Sequence, residues 1–228
     1  MILIKFDRFK KLIGEESFDE IKDLHVMIVG LGGVGGYTLE ALARCGIEKF
    51  TIIDFDKVDE TNINRQLIAN INTIGKYKVD LFEDRIKEIN PEVQVLAIKE
   101  KLTEDNVSSV IEEYKPTFVV DACDDIKVKK ALIKHTTLLD IPFISSMGTG
   151  KRLDPSKLEI TTLDRTTYDP IARILRKFAK DEKINKKIVV VASREEPIKT
   201  EGAMIASCSF VPSCAGLLIA SYIINKTK

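Results

Sequence analysis

Two cations and a run of glycines stand close enough along the chain to share one anion. Gly30-Leu31-Gly32-Gly33-Val34-Gly35 holds four glycines in six residues. A backbone without Cβ turns tightly and lets a phosphate approach its N–H groups, and a helix that follows adds the positive end of its dipole. Downstream, Asn62, Asn64, Arg65 and Gln66 crowd one segment, and Lys78 lies thirteen residues beyond Arg65. Hydride transfer with NAD has no need of two cations at its pyrophosphate. Attack on the α-phosphorus of a nucleoside triphosphate does, because negative charge must be neutralised as the transition state forms. Gly30, Gly32, Gly33, Gly35, Asn62, Arg65, Gln66 and Lys78 are therefore the candidate phosphate-handling set.

Carboxylates join them. Asp54 follows Gly30 by 24 residues, a spacing at which an acidic side chain accepts hydrogen bonds from ribose hydroxyls. That pairing alone serves NAD and ATP equally. Asp56 is the local rival, as ribose partner or metal ligand. Asp121, Asp124 and Asp125 follow a fourth apolar run, where strand ends line a ligand crevice and a carboxylate can hold Mg2+ against phosphates. Asp124 or Asp125 can instead cap the next helix. Cys45, Cys123, Cys208 and Cys214 form no CxxC pair, which disfavours a four-cysteine zinc site and fits reduced thiols in an intracellular protein. Cys208 and Cys214 read as small apolar residues near the last helix rather than acceptor nucleophiles. His25 and His135 read as structural or surface residues.

Alternating strands and helices must position these groups. Two short amphipathic helices span 5–24, divided near Gly14–Ser17 with Ser17 as cap of the second. Apolar, β-branched runs predict strands at 25–30, 50–56, 93–98, 117–122, 141–146, 158–163 and 187–193. Between and after them, helices are predicted over 37–44, closed by Gly46, and over 76–89, 103–113, 126–139, 170–181 and 210–225. Thr103 and Asn106 suit the start of the third of these, 103–113. This β-α alternation predicts an α/β fold: a doubly wound, mainly parallel, Rossmann-like sheet with N-terminal helices and a C-terminal extension of the same domain. Residues 1–228 read as one domain, with 1–24 as a helical arm.

The 228 residues are 44% hydrophobic, enough for a full core at this length. Lys plus Arg and Asp plus Glu number 35 each, so no global basic field is available for nucleic acid. RNA contact would rest on local clusters: Lys127, Lys129, Lys130 and Lys134; Lys151 and Arg152; and Arg173, Arg176, Lys177, Lys180, Lys183, Lys186 and Lys187. The N-terminal residues lack a signal-peptide pattern, and the apolar stretch 211–224 is shorter than a membrane span. A cytoplasmic protein without a membrane partner is expected.

The runs GLGGVGGYTLEALARCGI, IIDFDKVDETNINRQ and VVDACDD, with Lys78 between the last two, resemble the ubiquitin-activating-type adenylating superfamily that includes the ThiF and MoeB proteins. The resemblance implies that ATP adenylates a carboxylate with release of pyrophosphate. It implies that the glycine turn and Asp54 hold the adenosine and phosphates, that Asn62 and Arg65 hold phosphates, and that Lys78 stabilises the triphosphate. It further implies that Asp124 binds Mg2+ and that Arg8 reaches into the partner subunit's site of a homodimer, with 1–24 at the interface. FDRFKKLIG, TNINRQ, EDRIKEINP and RLDPSKLEITTLDRTTYDPIARILRKFAK look like one branch, the tRNA threonylcarbamoyladenosine dehydratases; SCSFVPSCAGLLIAS is similar too. That branch implies ATP-driven cyclisation of threonylcarbamoyl-adenosine in tRNA. The chain departs from ThiF- and MoeB-type proteins in lacking their paired zinc cysteines, and it carries Asp125 where the superfamily often has Asn. The alternatives are an adenylyltransferase for a ubiquitin-like sulfur carrier, a nucleotide-binding scaffold for a cysteine desulfurase or other sulfur-transfer partner, and an NAD-dependent oxidoreductase.

Overall fold

The computed structural model describes residues 4–202 and 204–227. Two helices open it, α1 (Asp7–Ile13) and α2 (Glu15–Lys22). Gly14 separates them at φ +89°, and Ser17 lies inside α2 rather than capping it. There follow β1 (His25–Val29), α3 (Gly35–Arg44), β2 (Lys49–Ile53), α4 (Lys78–Ile89), β3 (Gln94–Ile98), α5 (Val107–Tyr114), β4 (Phe118–Asp121) and α6 (Ile126–Leu138). The last third adds β5 (Phe143–Ser146), β6 (Leu158–Thr162), α7 (Pro170–Asp181), β7 (Val189–Ser193) and α8 (Phe210–Thr227).

The strands form one sheet in the order β3-β2-β1-β4-β5-β7-β6. All pairs are parallel except β6 with β7, which is antiparallel. The chain leaves β1 toward β2 and β3, then returns to lay β4 on the other flank of β1. That reversal opens a crevice beyond the carboxyl ends of β1 and β4. The expected doubly wound α/β sheet is present, and the C-terminal third extends it.

Side-chain alternation divides the core. Val26, Ile28, Phe50, Ile52, Phe118 and Val120 face α2, α3, α4 and α8, while Met27, Val29, Ile53 and Val119 face α5 and α6. A third cluster seats α7 against β7 through Leu175, Ala172, Val190 and Ala192. Helix α8 packs on α3 so closely that a Cβ at Gly216 would collide with the Val34 carbonyl oxygen. Thr38 Oγ1 donates to Gly216 O at 3.1 Å, across 178 residues of sequence. No helix among the described residues is long and apolar enough to cross a membrane.

Element ends differ from expectation where polar side chains claim the backbone. The strand expected over 50–56 stops at Ile53, because Asp54 turns its carboxylate onto neighbouring N–H groups. The helix expected from residue 103 begins at Val107; Asn106 Oδ1 instead accepts the Thr103 N–H at 2.7 Å and closes a turn ahead of it. Helix α3 starts at Gly35, two residues earlier than expected. There a Cβ would collide with the Gly30 carbonyl oxygen, whereas a Cβ at Gly32 meets only Gln66 Nε2 at 3.9 Å. Gly35→Ala is expected to lower unfolding stability by about 3 kcal/mol, and Gly32→Ala to change it by less than about 0.5 kcal/mol. Urea unfolding of both variants checks the contrast.

Candidate functional site

A cavity of about 480 Å³ lies beyond the carboxyl ends of β1, β2, β4 and β5, in the size range of small-molecule sites. One wall is the glycine turn between β1 and α3. Gly30 takes φ +90°, and a Cβ there would sit 2.8 Å from Ala122 O, so the turn requires glycine for both conformation and contact. The Gly30 N–H donates to Ile53 O at 2.9 Å. Gly32 and Gly33 line the cavity beside the start of α3.

Asp54 holds this turn in place. Its Oδ2 accepts the Leu31 N–H at 2.7 Å and its Oδ1 accepts the Asp56 N–H at 2.8 Å. Burial pushes its carboxyl pKa up, against the opposing pull of Lys78 and the two N–H donors. Both oxygens thus already serve the fold, while the residue still faces the cavity. Asp56 is more exposed and takes a different partner: its Oδ2 accepts from Lys78 Nζ at 2.8 Å. Lys78, the first residue of α4, is nearly sealed except toward the cavity it lines.

The loop after β2 supplies the opposite cation. A capping box between Asp59 and Asn62 winds Glu60–Asn62 into a single 3-10 turn, and the backbone bonds that follow put Arg65 and Gln66 against the glycines. Arg65 Nη1 donates to Thr61 O and Asn64 Oδ1, each at 2.9 Å. Gln66 Oε1 is buried at the cavity without a hydrogen-bond partner among the described residues. Asn62 spends its Oδ1 on the Asp59 N–H at 3.1 Å.

The floor corrects two expectations. Asp121, expected to line the ligand crevice, is fully buried and does not line the cavity. It accepts from Lys129 Nζ at 3.0 Å and Ser145 Oγ at 2.6 Å, and its Oδ1 accepts the Cys123 N–H. Lys129, read from sequence as part of a basic surface cluster, is equally buried; its Nζ also donates to Ser146 O at 2.9 Å. The pair ties the end of β4 to the end of β5 beneath the cavity. Lys129 was legible as an inward residue: Leu132, Ile133 and Thr136, three, four and seven positions on, form the buried stripe of α6. Burial and the adjoining Asp121 carboxylate also push the Cys123 thiol pKa well up, which keeps it protonated.

Asp124 and Asp125 separate cleanly. Asp125 caps α6, accepting from Lys127 N at 2.8 Å and Val128 N at 3.4 Å. Asp124 is exposed at the cavity and makes no hydrogen bond or ion pair among the described residues. No group of three or more His, Cys, Asp and Glu side chains gathers there or elsewhere among those residues. A free carboxylate beside a phosphate cradle suits Mg2+, which binds through one or two carboxylates plus substrate phosphates.

The remaining wall was not foreseen as part of the site. Ser146-Met147-Gly148-Thr149-Gly150 flanks the cavity, and the segment after β7 crosses its mouth with Ile205 and Ser207. Asn64 Nδ2 donates to Ser207 O at 3.2 Å, and Lys151 N–H donates to Ala206 O at 2.7 Å. Arg152, also expected on the surface, is buried against Asp169 at 3.5 Å. Arg8 is exposed on α1 and does not line this chain's cavity. His25 lies at the far end of β1, with Nε2 2.8 Å from Thr51 Oγ1.

Two cations, an amide oxygen with no partner among the described residues, a glycine turn open at Gly32 and a free carboxylate therefore surround one cavity. That arrangement can bind a nucleoside triphosphate and neutralise its charge. Lys129→Met strands a buried carboxylate and is expected to destabilise the fold by about 3–5 kcal/mol, whereas Lys129→Met with Asp121→Asn recovers much of the loss. Chemical denaturation of the single and double variants measures this.

Comparison with known proteins points to the same chemistry. The curated tRNA threonylcarbamoyladenosine dehydratase of Bacillus subtilis is 38% identical over 98% of this chain and 94% of its own length. The Haemophilus influenzae protein of the same name is 35% identical over 98% of this chain and 88% of its own. Crystal structures of the Escherichia coli tRNA N6-threonylcarbamoyladenosine dehydratase TcdA, one with AMP and one with ATP, superpose with a TM-score of 0.92 at 33% identity, covering 98% of this chain and 93% of that one. The ThiF family pattern matches residues 7–224, from the first helix through both walls of the cavity to α8, and the chain belongs to the ThiF family.

Proposed function

We propose that this chain is an ATP-dependent tRNA threonylcarbamoyladenosine dehydratase. The observation that carries the reading is the meeting of Lys78, Arg65, the open glycine turn and a free Asp124 in one cavity, within a chain similar along nearly its whole length to proteins of that name. In the reaction, a carboxylate oxygen of the threonine moiety attacks the α-phosphorus of ATP and pyrophosphate leaves. The carbamoyl nitrogen then attacks the activated acyl carbon, a ring closes, a proton is lost, and AMP departs with the former carboxylate oxygen. The modified nucleoside has lost the elements of one water.

Arg65 and Lys78 neutralise charge on the phosphate oxygens as the α-phosphorus is attacked. Gly30, Gly32, Gly33 and Gly35 shape the phosphate cradle, with Asn62 and Gln66 beside it. Asp54 holds the cradle from below and faces the nucleoside with Asp56, which keeps Lys78 in register. Asp124 would hold Mg2+, which when bound supplies charge neutralisation to the phosphates. Asp121 acts only through the loop it braces. Arg8, exposed and away from its own cavity, serves the cavity of a second copy, so the working unit is a homodimer with α1 at the interface. The tRNA substrate fits a cytoplasmic enzyme.

With ATP, Mg2+ and tRNA bearing threonylcarbamoyl-adenosine, AMP release is expected together with loss of 18 mass units, about one water, from the nucleoside. AMP release that ignores tRNA but requires a protein ending in Gly-Gly would move the assignment to sulfur-carrier activation. Arg65→Ala is expected to slow tRNA-dependent AMP release by about 100-fold or more with an unchanged circular dichroism spectrum. Arg8→Ala is expected to be similarly impaired. Mixing the Arg8→Ala and Arg65→Ala proteins restores activity if Arg8 crosses to the partner, because one mixed site then holds both arginines; no rescue would refute the shared site.

A further inference from the structure

Helix α7 leads away from the cavity, and its anchoring is unusually specific. Asp169 caps it, accepting the Ala172 N–H at 2.8 Å through one oxygen and the Gly148 N–H of the cavity wall at 2.9 Å through the other. Ile171, in its first turn, lines the cavity. Buried Arg152 ion-pairs with Asp169 and donates to Tyr168 O at 3.2 Å. This clamp holds Tyr168 at φ +52°, a conformation L side chains rarely adopt, and leaves the residue 58% exposed. A bulky residue persists in that conformation only where its surroundings dictate it. Here they hold an aromatic ring in solvent beside a ligand cavity. Neither packing nor the proposed adenylation chemistry uses it.

Cations continue from that ring. Arg173, Lys177 and Lys180 recur at four and seven positions, hence on one face of α7, and all three are exposed. None has an ion-pair partner among the described residues. Several other cations noted in sequence are occupied: Arg176 donates to Thr166 O, Lys186 pairs with Asp140, and Lys134 pairs with Glu182. The single carboxylate of α7 is Asp181, at its far end. Three exposed cations without ion-pair partners among the described residues thus line one path from the cavity. The apolar face of α7 is already packed against β7 through Ala172 and Leu175, so this helix has no free face to lay into a lipid surface.

We propose that Tyr168 and the Arg173–Lys177–Lys180 face of α7 dock the RNA strand flanking the nucleotide that enters the cavity, with Tyr168 stacking on a neighbouring base and the three cations contacting successive phosphates. This rests on the reading of the substrate as tRNA. Cations along a backbone with an aromatic ring for an unpaired base are the features that hold single-stranded nucleic acid, and seven residues of helix place the outer cations about 10 Å apart.

The test compares full-chain wild type with Arg173→Ala/Lys177→Ala/Lys180→Ala, Tyr168→Ala and Tyr168→Phe. Fluorescence anisotropy with labelled, unmodified full-length tRNA is read across KCl concentrations, alongside ATP affinity and turnover of tRNA carrying threonylcarbamoyl-adenosine. The triple variant is expected to bind tRNA about tenfold or more weakly and to flatten the log–log salt slope by about two units. Tyr168→Ala is expected to raise KM for the modified tRNA about tenfold, with Tyr168→Phe at the wild-type value. ATP affinity stays at the wild-type value in all three, which shows the cavity intact. A triple variant with wild-type tRNA affinity and salt slope, in an enzyme that turns over modified tRNA, overturns the docking face and leaves the dehydratase reading standing. An unchanged KM in Tyr168→Ala overturns the stacking contact. A wild-type protein that ignores tRNA and adenylates a Gly-Gly terminus overturns both readings.

Discussion

One carboxylate sets the geometry of the cavity's glycine wall. Asp54 accepts one N–H from the glycine turn after β1 and another from the loop after β2, joining two segments that the sheet only brings to the same edge. The loop it fixes carries Asp56, and Asp56 orients Lys78. The chain accepts the electrostatic burden of burying Asp54 because the two N–H groups and the nearby ammonium repay part of the desolvation. The turn is consequently rigid and open only at Gly32. Preorganisation of this kind places donors before charge develops, which is where such donors are most effective.

The opposite wall is set by a second buried charge with a different task. Lys129 meets three acceptors under the cavity and fastens β4 to β5. Such a pair adds little net stability over an apolar substitute, but breaking it is severe. It fixes the spacing of two loops, one carrying Asp124 and the other running through Gly148 to Gly150. Two buried carboxylates, Asp54 just after β2 and Asp121 at the end of β4, stand on the strands that flank β1, one at each side of the crevice. Neither needs to touch a ligand to decide where a ligand sits.

Much of this was legible in the residues. The β-α alternation, the glycine turn and the cations at Arg65 and Lys78 follow from local patterns that tertiary packing reinforces, so the sheet and the cavity's first wall were readable. Asp121, Lys129 and Arg152 were misjudged because a charge carries no local sign of its burial; the evidence lies in its partner, Asp121 for Lys129 and Asp169 for Arg152. The stripe of α6 offered a clue for Lys129 that its neighbours Lys127 and Lys130 obscured. Ser17 and Thr103 failed as helix starters for a simpler reason: Gly14 and Asn106 set those boundaries through backbone conformation and a side-chain turn. The segment crossing the mouth has no periodic pattern, and its tie from Asn64 to Ser207 spans 143 residues, beyond the reach of any local reading.

The bracing of α3 by α8 bears on how the molecule comes into being. The first β-α unit contains the whole glycine turn, yet the carbonyl of Val34 and the hydroxyl of Thr38 find their packing partner at Gly216. During synthesis, the early segment emerges long before α8 does, and its apolar helix face must wait beside an uncompleted sheet. Closing so distant a contact is slow on general topological grounds, and exposed surface in the interval is what chaperones attend to. The glycine turn, translated early, is thus among the last parts of the fold to be finished.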